Sequence, residues 1–315
     1  MPKTCLLIGL GQIGMGYDLA LDPRQAIYSH ARAFSLHPAF KLIGAVDPSA
    51  TQRALFEHHY KQPAYAELAN APAADVVIIA SPTTAHCHVL TAVLAQFRPK
   101  VIVCEKPLAY SLAEARYMVD ACEVAGVTLL VNYMRRADPG VIAIKKRFEL
   151  STIASPIKGC VWYSKGFLHN GSHFFNLLEF WLGACVRINV LDAGRVLHAQ
   201  DAEPDVQVEF ERGKVVFLAA WEEAFSYYTI ELLSPSGRLS YEHGGELITW
   251  QTIQTNPTFP GARKLHSDKE LIANGMSHYQ WHVADQLVNV LNDQPYDLCT
   301  GLQALTTLAA MQQIS

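Results

Sequence analysis

The sequence carries no excess of charge of either sign: 25 Lys and Arg stand against 29 Asp and Glu, a formal net charge of -4 over 315 residues. Without a basic surplus it lacks the electrostatic footprint that non-specific nucleic-acid or anionic-membrane binding requires, so neither partner is expected. It also lacks any Cys-x-x-Cys. Its seven cysteines, at 5, 87, 104, 122, 160, 185 and 299, stand singly, several inside apolar runs. That excludes a disulfide scaffold and fits a reducing cytoplasm, which is the expected location. No uninterrupted apolar stretch approaches the roughly 18 residues that span a bilayer. The apolar start, Cys5 to Leu10, is broken by Gly9, Gly11 and Gly14 and has no small-residue cleavage site, so no signal peptide is expected. Internal repeats and low-complexity linkers are missing too. What remains is ordinary globular composition, half apolar and 17% charged, with small molecules or a second copy of the chain as the expected partners.

At roughly one to two hundred residues per domain, two domains are expected, 1–134 and 135–315. The first alternates short continuous apolar runs with helical patterns, the texture of a parallel sheet covered on both faces. Strands are read at Thr4 to Gly9, Lys41 to Asp47, Asp75 to Ala80, Lys100 to Cys104 and Thr128 to Val131. Amphipathic stretches lie near His30 to His37, Pro48 to Tyr60, Thr84 to Phe97 and Ser111 to Ala125, the last opening with a Ser111-x-x-Glu114 capping box. This predicts a doubly wound α/β Rossmann domain. After Asp138-Pro139 the pattern becomes a helix over Gly140 to Phe148 and then strands at Lys158 to Tyr163, Arg187 to Leu197, Val206 to Phe210, Lys214 to Trp221, Tyr227 to Leu233 and Leu247 to Thr252. A helix over Ser172 to Leu182 interrupts them, and Ser277 to Leu291 and Gly301 to Met311 read as helical again. The second domain is therefore expected to be α+β, on an open, mostly antiparallel sheet.

The strongest local signal is Gly9-Leu10-Gly11-Gln12-Ile13-Gly14 directly after the first strand. Glycines at this spacing allow a tight turn, backbone approach to a pyrophosphate and close packing of helix on strand, with phosphate resting on helix N-terminal amides. Asp47 ends the second strand, where a carboxylate accepts from a ribose 2′-OH and repels a 2′-phosphate, so NAD(H) is expected over NADP(H). Asp47-Pro48-Ser49 also reads as a helix start with Asp47 as N-cap. From Gly14 to Asp47 there are 33 residues, against about 20 in the usual fingerprint. The surplus, Tyr17 to Tyr28 with Asp18, Asp22 and Arg24, is expected to border the cofactor mouth or to form a surface bulge. Ser81-Pro82 with His86 follows the third strand and Glu105-Lys106-Pro107 the fourth, both at the carboxyl edge, where open α/β sheets bind ligands. A Lys at that rim can donate a proton to, or polarise, a substrate oxygen.

Taken in order, Gly9-x-Gly11-x-x-Gly14, Asp47, Ser81-Pro82 with His86, Glu105-Lys106-Pro107 and Asn132-Tyr133-Met134-Arg135-Arg136-Ala137-Asp138-Pro139 make the sequence resemble the glucose-fructose oxidoreductase / inositol dehydrogenase / MocA family. Gly171-Ser172-His173 with the helix ending Phe180-Trp181-Leu182-Gly183 resembles that family's catalytic-histidine helix, and Gly301-Leu302-Gln303-Ala304 its final helix. The resemblance implies NAD(H) on the Rossmann domain, substrate in a cleft between the domains, and an open second sheet with one face used for assembly into a homodimer or homotetramer. It implies that Lys106 binds the reacting hydroxyl or carbonyl, that His173 is the acid/base, that Glu105 orients Lys106, and that Pro107 shapes the rim, often in cis. The activity so implied is hydride transfer between nicotinamide and a sugar, polyol or sugar derivative. Two alternatives stand beside it: tightly bound NAD recycled during elimination or glycoside cleavage, and a non-catalytic NAD-binding sensor or co-repressor.

The sequence departs from the family at 169, where His169, followed by Asn170, replaces the usual Asp four residues before the histidine. His169-x-x-x-His173 also has the spacing of two metal ligands one helical turn apart, but Gly171 interrupts the helix, and no metal is expected. His169 joins Lys106 and His173 in the expected catalytic set. Gln12, Ile13, Ser81, Pro82, His86, Glu105 and Lys106 join the glycines and Asp47 in the expected cofactor-binding set, and Arg135, Arg136, Lys165 and Asn170 are the expected substrate contacts. Trp162, Tyr163 and Trp221 read as core or sheet-face packing. Val206, Val208 and Phe210 share one sheet face, which is expected to suit a subunit interface where helices leave it uncovered.

Overall fold

Val76–Ile79 and Val101–Cys104 are buried at every position, which a strand achieves only when both sheet faces are covered. In the computed structural model, which describes residues 1–198 and 201–314, they are the centre of a seven-stranded sheet. Numbered along the chain, its elements are β1 (Lys3–Ile8), α1 (His30–Leu36), β2 (Phe40–Val46), α2 (Ala50–Tyr60), β3 (Ala64–Tyr65), β4 (Val76–Ile79), α3 (His86–Gln96), β5 (Val101–Cys104), α4 (Leu112–Ala125) and β6 (Thr128–Val131). With β16 (Cys299–Thr300), the strand order is β16-β6-β5-β4-β1-β2-β3. Strands β1 to β6 are parallel, in the doubly wound order expected, and β16 (Cys299–Thr300) adds antiparallel to the β6 edge. Helix α4 is bounded as its sequence dictates, with Ser111 accepting from Glu114 N–H at the start and Gly126 at φ 67° closing the end.

Contacts divide the chain into two compact units, 1–137 with 277–306, and 138–276 with 307–315. The first cut falls three residues beyond the expected 134/135 boundary. The tail holding α7 (Tyr279–Leu291) and β16, expected in the second domain, packs in the first, where Val283, Ala284, Leu287 and Leu298 enter the core around Leu7, Phe34 and Ile78. The pattern of α7 shows that it is helical, whereas which core takes its apolar stripe is a matter of chain path.

The second unit comprises α5 (Pro139–Glu149), β7 (Ile157–Tyr163), α6 (Ser172–Leu182), β8 (Cys185–His198), β9 (Asp201–Phe210), β10 (Gly213–Ala219), β11 (Thr229–Ser234), β12 (Gly237–Glu242), β13 (Leu247–Thr255), β14 (Arg263–Leu265) and β15 (Glu270–Ile272). The nine strands run in the order β14-β13-β12-β11-β7-β10-β9-β8, with β15 on β13. Pairing is antiparallel apart from β7 with β10. Asp138 caps α5, accepting from Gly140 and Val141 N–H, with Pro139 at the first helical position. Helix α8 (Gly301–Met311) has Ala310 and Met311 in this unit's core.

One expectation is corrected here. Val206, Val208 and Phe210 lie on the helix-covered face, fully or almost fully buried beside Phe175, Phe217 and Trp181. The alternation in β9 gives two faces, and the apolar one is apolar because α5 and α6 cover it. The opposite face carries Gln207, Glu209, Trp162 and Leu233, of which Trp162 and Leu233 are exposed. Tyr163 faces the core and donates from its hydroxyl to Pro204 O, while Trp221 is exposed with the Arg195 guanidinium 5.1 Å from its ring. Among the described residues no helix is long and apolar enough to cross a membrane.

Candidate active site

The glycine loop is fitted to the sheet edge. Gly9 has φ +99°, and a Cβ there would lie 2.6 Å from the backbone of Ala80 and Ser81, so glycine alone can stand there. A Cβ at Gly14 would meet Gly9 O at 2.1 Å, which is the close packing expected of the third glycine. A Cβ at Gly11 would meet nothing within 4 Å, leaving its backbone open for a ligand to approach. Beside the loop, Ser81 Oγ is shielded and has no protein partner. Both features fit a phosphate-bearing cofactor.

Beyond the fingerprint the chain makes an excursion before the first helix begins. His30 N–H donates to Ile13 O at 3.0 Å and Ala31 N–H to Gly14 O at 2.9 Å, so α1 resumes where the glycine loop left off. The neck of the excursion is closed by Asp18, fully buried, whose carboxylate accepts from Tyr28 N–H, Ser29 N–H and Ser29 Oγ–H at 2.6 to 2.8 Å. Asp18 is therefore an internal tie rather than a charge at a mouth, while Asp22 and Arg24 pair at the surface. The excursion also grips α7: Ile27 N–H donates to Ser277 O, and the Tyr28 and Tyr279 rings stack at 5.2 Å.

Asp47 does not cap α2; Ser49 does, accepting from Gln52 N–H. The Asp47 carboxylate accepts instead from Leu10 N–H and from Ser49 N–H, each at 2.8 Å, one bond per oxygen. Each oxygen keeps a lone pair for a further donor.

His86 is fully buried, with Nε2 2.9 Å from Ser81 O and Nδ1 3.1 Å from Leu108 O. It was expected beside the cofactor, and it lies between the loop after β4 and the loop after β5, bracing both. Burial pushes its pKa down against the pull of those carbonyls. Lys106 is half-buried at the rim and its peptide bond to Pro107 is cis. Its backbone N–H donates to Glu105 Oε2 at 3.3 Å. Glu105 Oε1 accepts from Asn132 Nδ2 at 2.6 Å and lies 2.7 Å from His30 Nε2, and Asn132 also donates to Gln280 Oε1 of α7 at 3.3 Å. Burial raises the Glu105 pKa, but the bonds and charges of His30, Asn132 and Lys106 outweigh it and hold the carboxyl below its ordinary value. Arg135 and Arg136 sit on the turn Met134–Ala137. Arg136 is buried and donates to Gln303 Oε1 at 2.7 Å.

In the second unit, Lys165 takes a left-handed conformation (φ 66°), followed by Gly166 at φ 81° and a π-helical stretch, Gly166–Gly171, that runs into α6. Such wide turns recur at functional sites. The segment is held from β9: Asp201 accepts from Leu168 and His169 N–H at 2.8 and 2.7 Å, and the buried Glu203 from Gly166 N–H at 3.0 Å. His169 is exposed and His173, in the first turn of α6, is buried, so the two do not share the face that regular α-helical spacing would give them. Asn170 Nδ2 donates to the Tyr228 hydroxyl at 3.0 Å, Tyr228 stacks on Phe174 at 5.9 Å, and Lys165 Nζ is 3.5 Å from Glu222. Lys165, His169, Asn170 and His173 thus belong to one local structure. Sequence reasoning missed Tyr228, Glu222, Asp201 and Glu203 here, and His30 and Gln280 in the first unit. Of these only His30 sat in a marked place, at the start of the first helix pattern.

Fold and glycine loop define a doubly wound dinucleotide-binding domain. Residues 3–133 match the oxidoreductase family with an NAD-binding Rossmann fold, Gfo/Idh/MocA. Among similar proteins are a scyllo-inositol 2-dehydrogenase (NAD+) of Bacillus subtilis, 28% identical over 219 residues (62% of this chain, 58% of that protein), and a D-apiose dehydrogenase of Paraburkholderia graminis, 34% identical over 133 residues (42% of this chain, 35% of that protein). The chain thus spans about a third to three fifths of these curated relatives. The fold as a whole resembles an aldose-aldose oxidoreductase from Caulobacter crescentus, with a TM-score of 0.78 at 15% identity over 100% of this chain and 96% of that one. An NAD binding oxidoreductase from Klebsiella pneumoniae also gives a TM-score of 0.78, at 16% identity over 100% and 98%. The dinucleotide-binding domain of this chain belongs to the Gfo/Idh/MocA oxidoreductase family.

Proposed function

We propose that the protein is an NAD(H)-dependent oxidoreductase acting on a carbinol or carbonyl carbon of a sugar, polyol or sugar derivative. The observation that carries this reading is the Glu105-held Lys106 at the same sheet edge as the open Gly11 backbone and the partnerless Ser81 hydroxyl. The named relatives, dehydrogenases of an inositol and of apiose, point to polyhydroxylated substrates. Gly9, Gly11, Gln12, Ile13 and Gly14 would cradle the pyrophosphate, and the remaining lone pairs of Asp47 would accept from the ribose diol, which favours NAD(H) over NADP(H). Bound there, the nicotinamide supplies the hydride acceptor or donor.

Lys106 polarises the reacting oxygen and stabilises the charge that grows on it. In the second unit His173 is the proton-transfer group, with His169 beside it in sequence and with Lys165 and Asn170 as hydrogen-bonding groups for hydroxyls. The open face of the second sheet, with Trp162 and Leu233 exposed on it, is our proposed interface for a homodimer or homotetramer. Seven cysteines that stand singly in the sequence, with no Cys-x-x-Cys, are consistent with a cytoplasmic protein.

Calorimetric titration with NAD, NADH, NADP and NADPH, after a check for co-purified cofactor, tests the reading. Micromolar binding of NAD(H), much weaker binding of NADP(H) and an absorbance change with polyols or sugars are expected. Absence of binding by all four, with none co-purified, overturns it.

A further inference from the structure

His30 was not assigned a role by its sequence, and its surroundings give it one. The ring is fully buried on the first turn of α1, and Nε2 lies 2.7 Å from Glu105 Oε1 across 75 residues of chain. A carboxylate oxygen accepts, so Nε2 carries the proton. Everything that places this ring is specific. Ser29 caps α1, Asp18 holds Ser29 and Tyr28, and the first two N–H groups of α1 dock on Ile13 and Gly14 carbonyls. The surplus residues between glycine loop and helix thereby fix the ring against the carboxylate.

Glu105 then has a donor on each oxygen, His30 and Asn132 on Oε1 and the Lys106 backbone on Oε2. We propose that His30 is a positioning residue for Lys106: its Nε2–H fixes the Glu105 carboxylate, whose other oxygen fixes the backbone of Lys106 at the rim. The proposal rests on the reading of Lys106 as the reacting group. The other titratable groups around Glu105 are Lys106 itself, Cys104 on β5, His86 on α3 and Tyr279 on α7; burial, and after it the Glu105 charge, raises the pKa of Cys104 and Tyr279. Truncating His30 removes a donor that favours the charged carboxylate against strong desolvation. With one donor fewer on Oε1 the Glu105 carboxylate is no longer fixed, and its placement relative to the Lys106 ammonium changes.

The test labels the lysines of the full chain by reductive methylation with 13C-formaldehyde and follows the Lys106 line against pH, the line being assigned by its loss in Lys106→Arg. In His30→Phe, which leaves the Glu105 carboxylate unfixed, the Lys106 titration is expected to shift measurably from its wild-type position. In His30→Gln, which keeps an N–H, it stays near wild type. An unmoved Lys106 in folded His30→Phe, or the same shift in both variants, overturns the proposal. In the wild type the 15N spectrum of His30 is expected to show a protonated Nε2; a bare Nε2 with the proton on Nδ1 overturns it even where His30→Phe does not fold. None of these readouts needs turnover, so failure of every polyol as substrate strikes the dehydrogenase reading and leaves this proposal to its own result.

Discussion

Asp47 Oδ2 accepts the backbone N–H of Leu10 at 2.8 Å, tying the end of the second strand to the glycine loop. One carboxylate therefore shapes the loop, and its remaining lone pairs are the ones we propose to accept from a bound ribose. Asp47→Ala should weaken NAD binding about tenfold or more, which corresponds to about 1.4 kcal/mol, and narrow the gap between NAD and NADP. Titration calorimetry of the variant with both cofactors checks this, and unchanged discrimination refutes the role of Asp47.

The glycines of the loop differ in what surrounds them. Gly14→Ala drives a Cβ to 2.1 Å from Gly9 O and should lower stability by several kcal/mol, of the size found for overpacking. Gly11→Ala meets no protein atom and should change stability by no more than about 0.5 kcal/mol while weakening NAD binding. Thermal unfolding of both variants with and without NAD separates these effects.

Lys106→Ala should keep NAD affinity and lower turnover by about 10² to 10⁴. A matched loss of NAD affinity would place Lys106 in cofactor binding instead.

Burial depresses the pKa of His86, so the fold prefers its neutral ring. For a folded pKa below the unfolded value of about 6.5, the stabilisation is present above that value and is lost as pH falls towards the folded pKa. The melting temperature should therefore fall below about pH 6.5, and His86→Phe should flatten that limb. A parallel limb in the variant assigns the acid sensitivity elsewhere.

Asp201 holds the π-helical turn by accepting two backbone N–H groups. Asp201→Ala should cost about 1 to 3 kcal/mol, since both donors lose their partner. It should also slow turnover by displacing His169 and His173. Denaturant unfolding and steady-state kinetics give the two values.

Local pattern made the Rossmann half legible. Continuous apolar runs, the Gly9-Gly11-Gly14 spacing and the Ser111 cap report constraints satisfied within a few residues, so β1, β2, β4, β5 and β6 lie within a residue or so of their expected bounds. Short strands such as β3 and β16 were invisible because two residues carry no period. In β9 the alternation was read correctly but its covered face was assigned the wrong way, since period two says that faces differ and not which one meets a helix.

The sequence by itself determined which residues are candidates for chemistry, Lys106, His173, Asp47 and the glycines, because residue type and position in a local pattern are local properties. Only the tertiary structure decided their partners. His30 and Gln280 reach the Glu105 network from 75 residues away along the chain and from the far tail, and Asp201 reaches the histidine segment from a strand that follows it. Such pairings are set by the path of the chain and by the need of each buried polar group for a partner, and no periodicity in the sequence records that need.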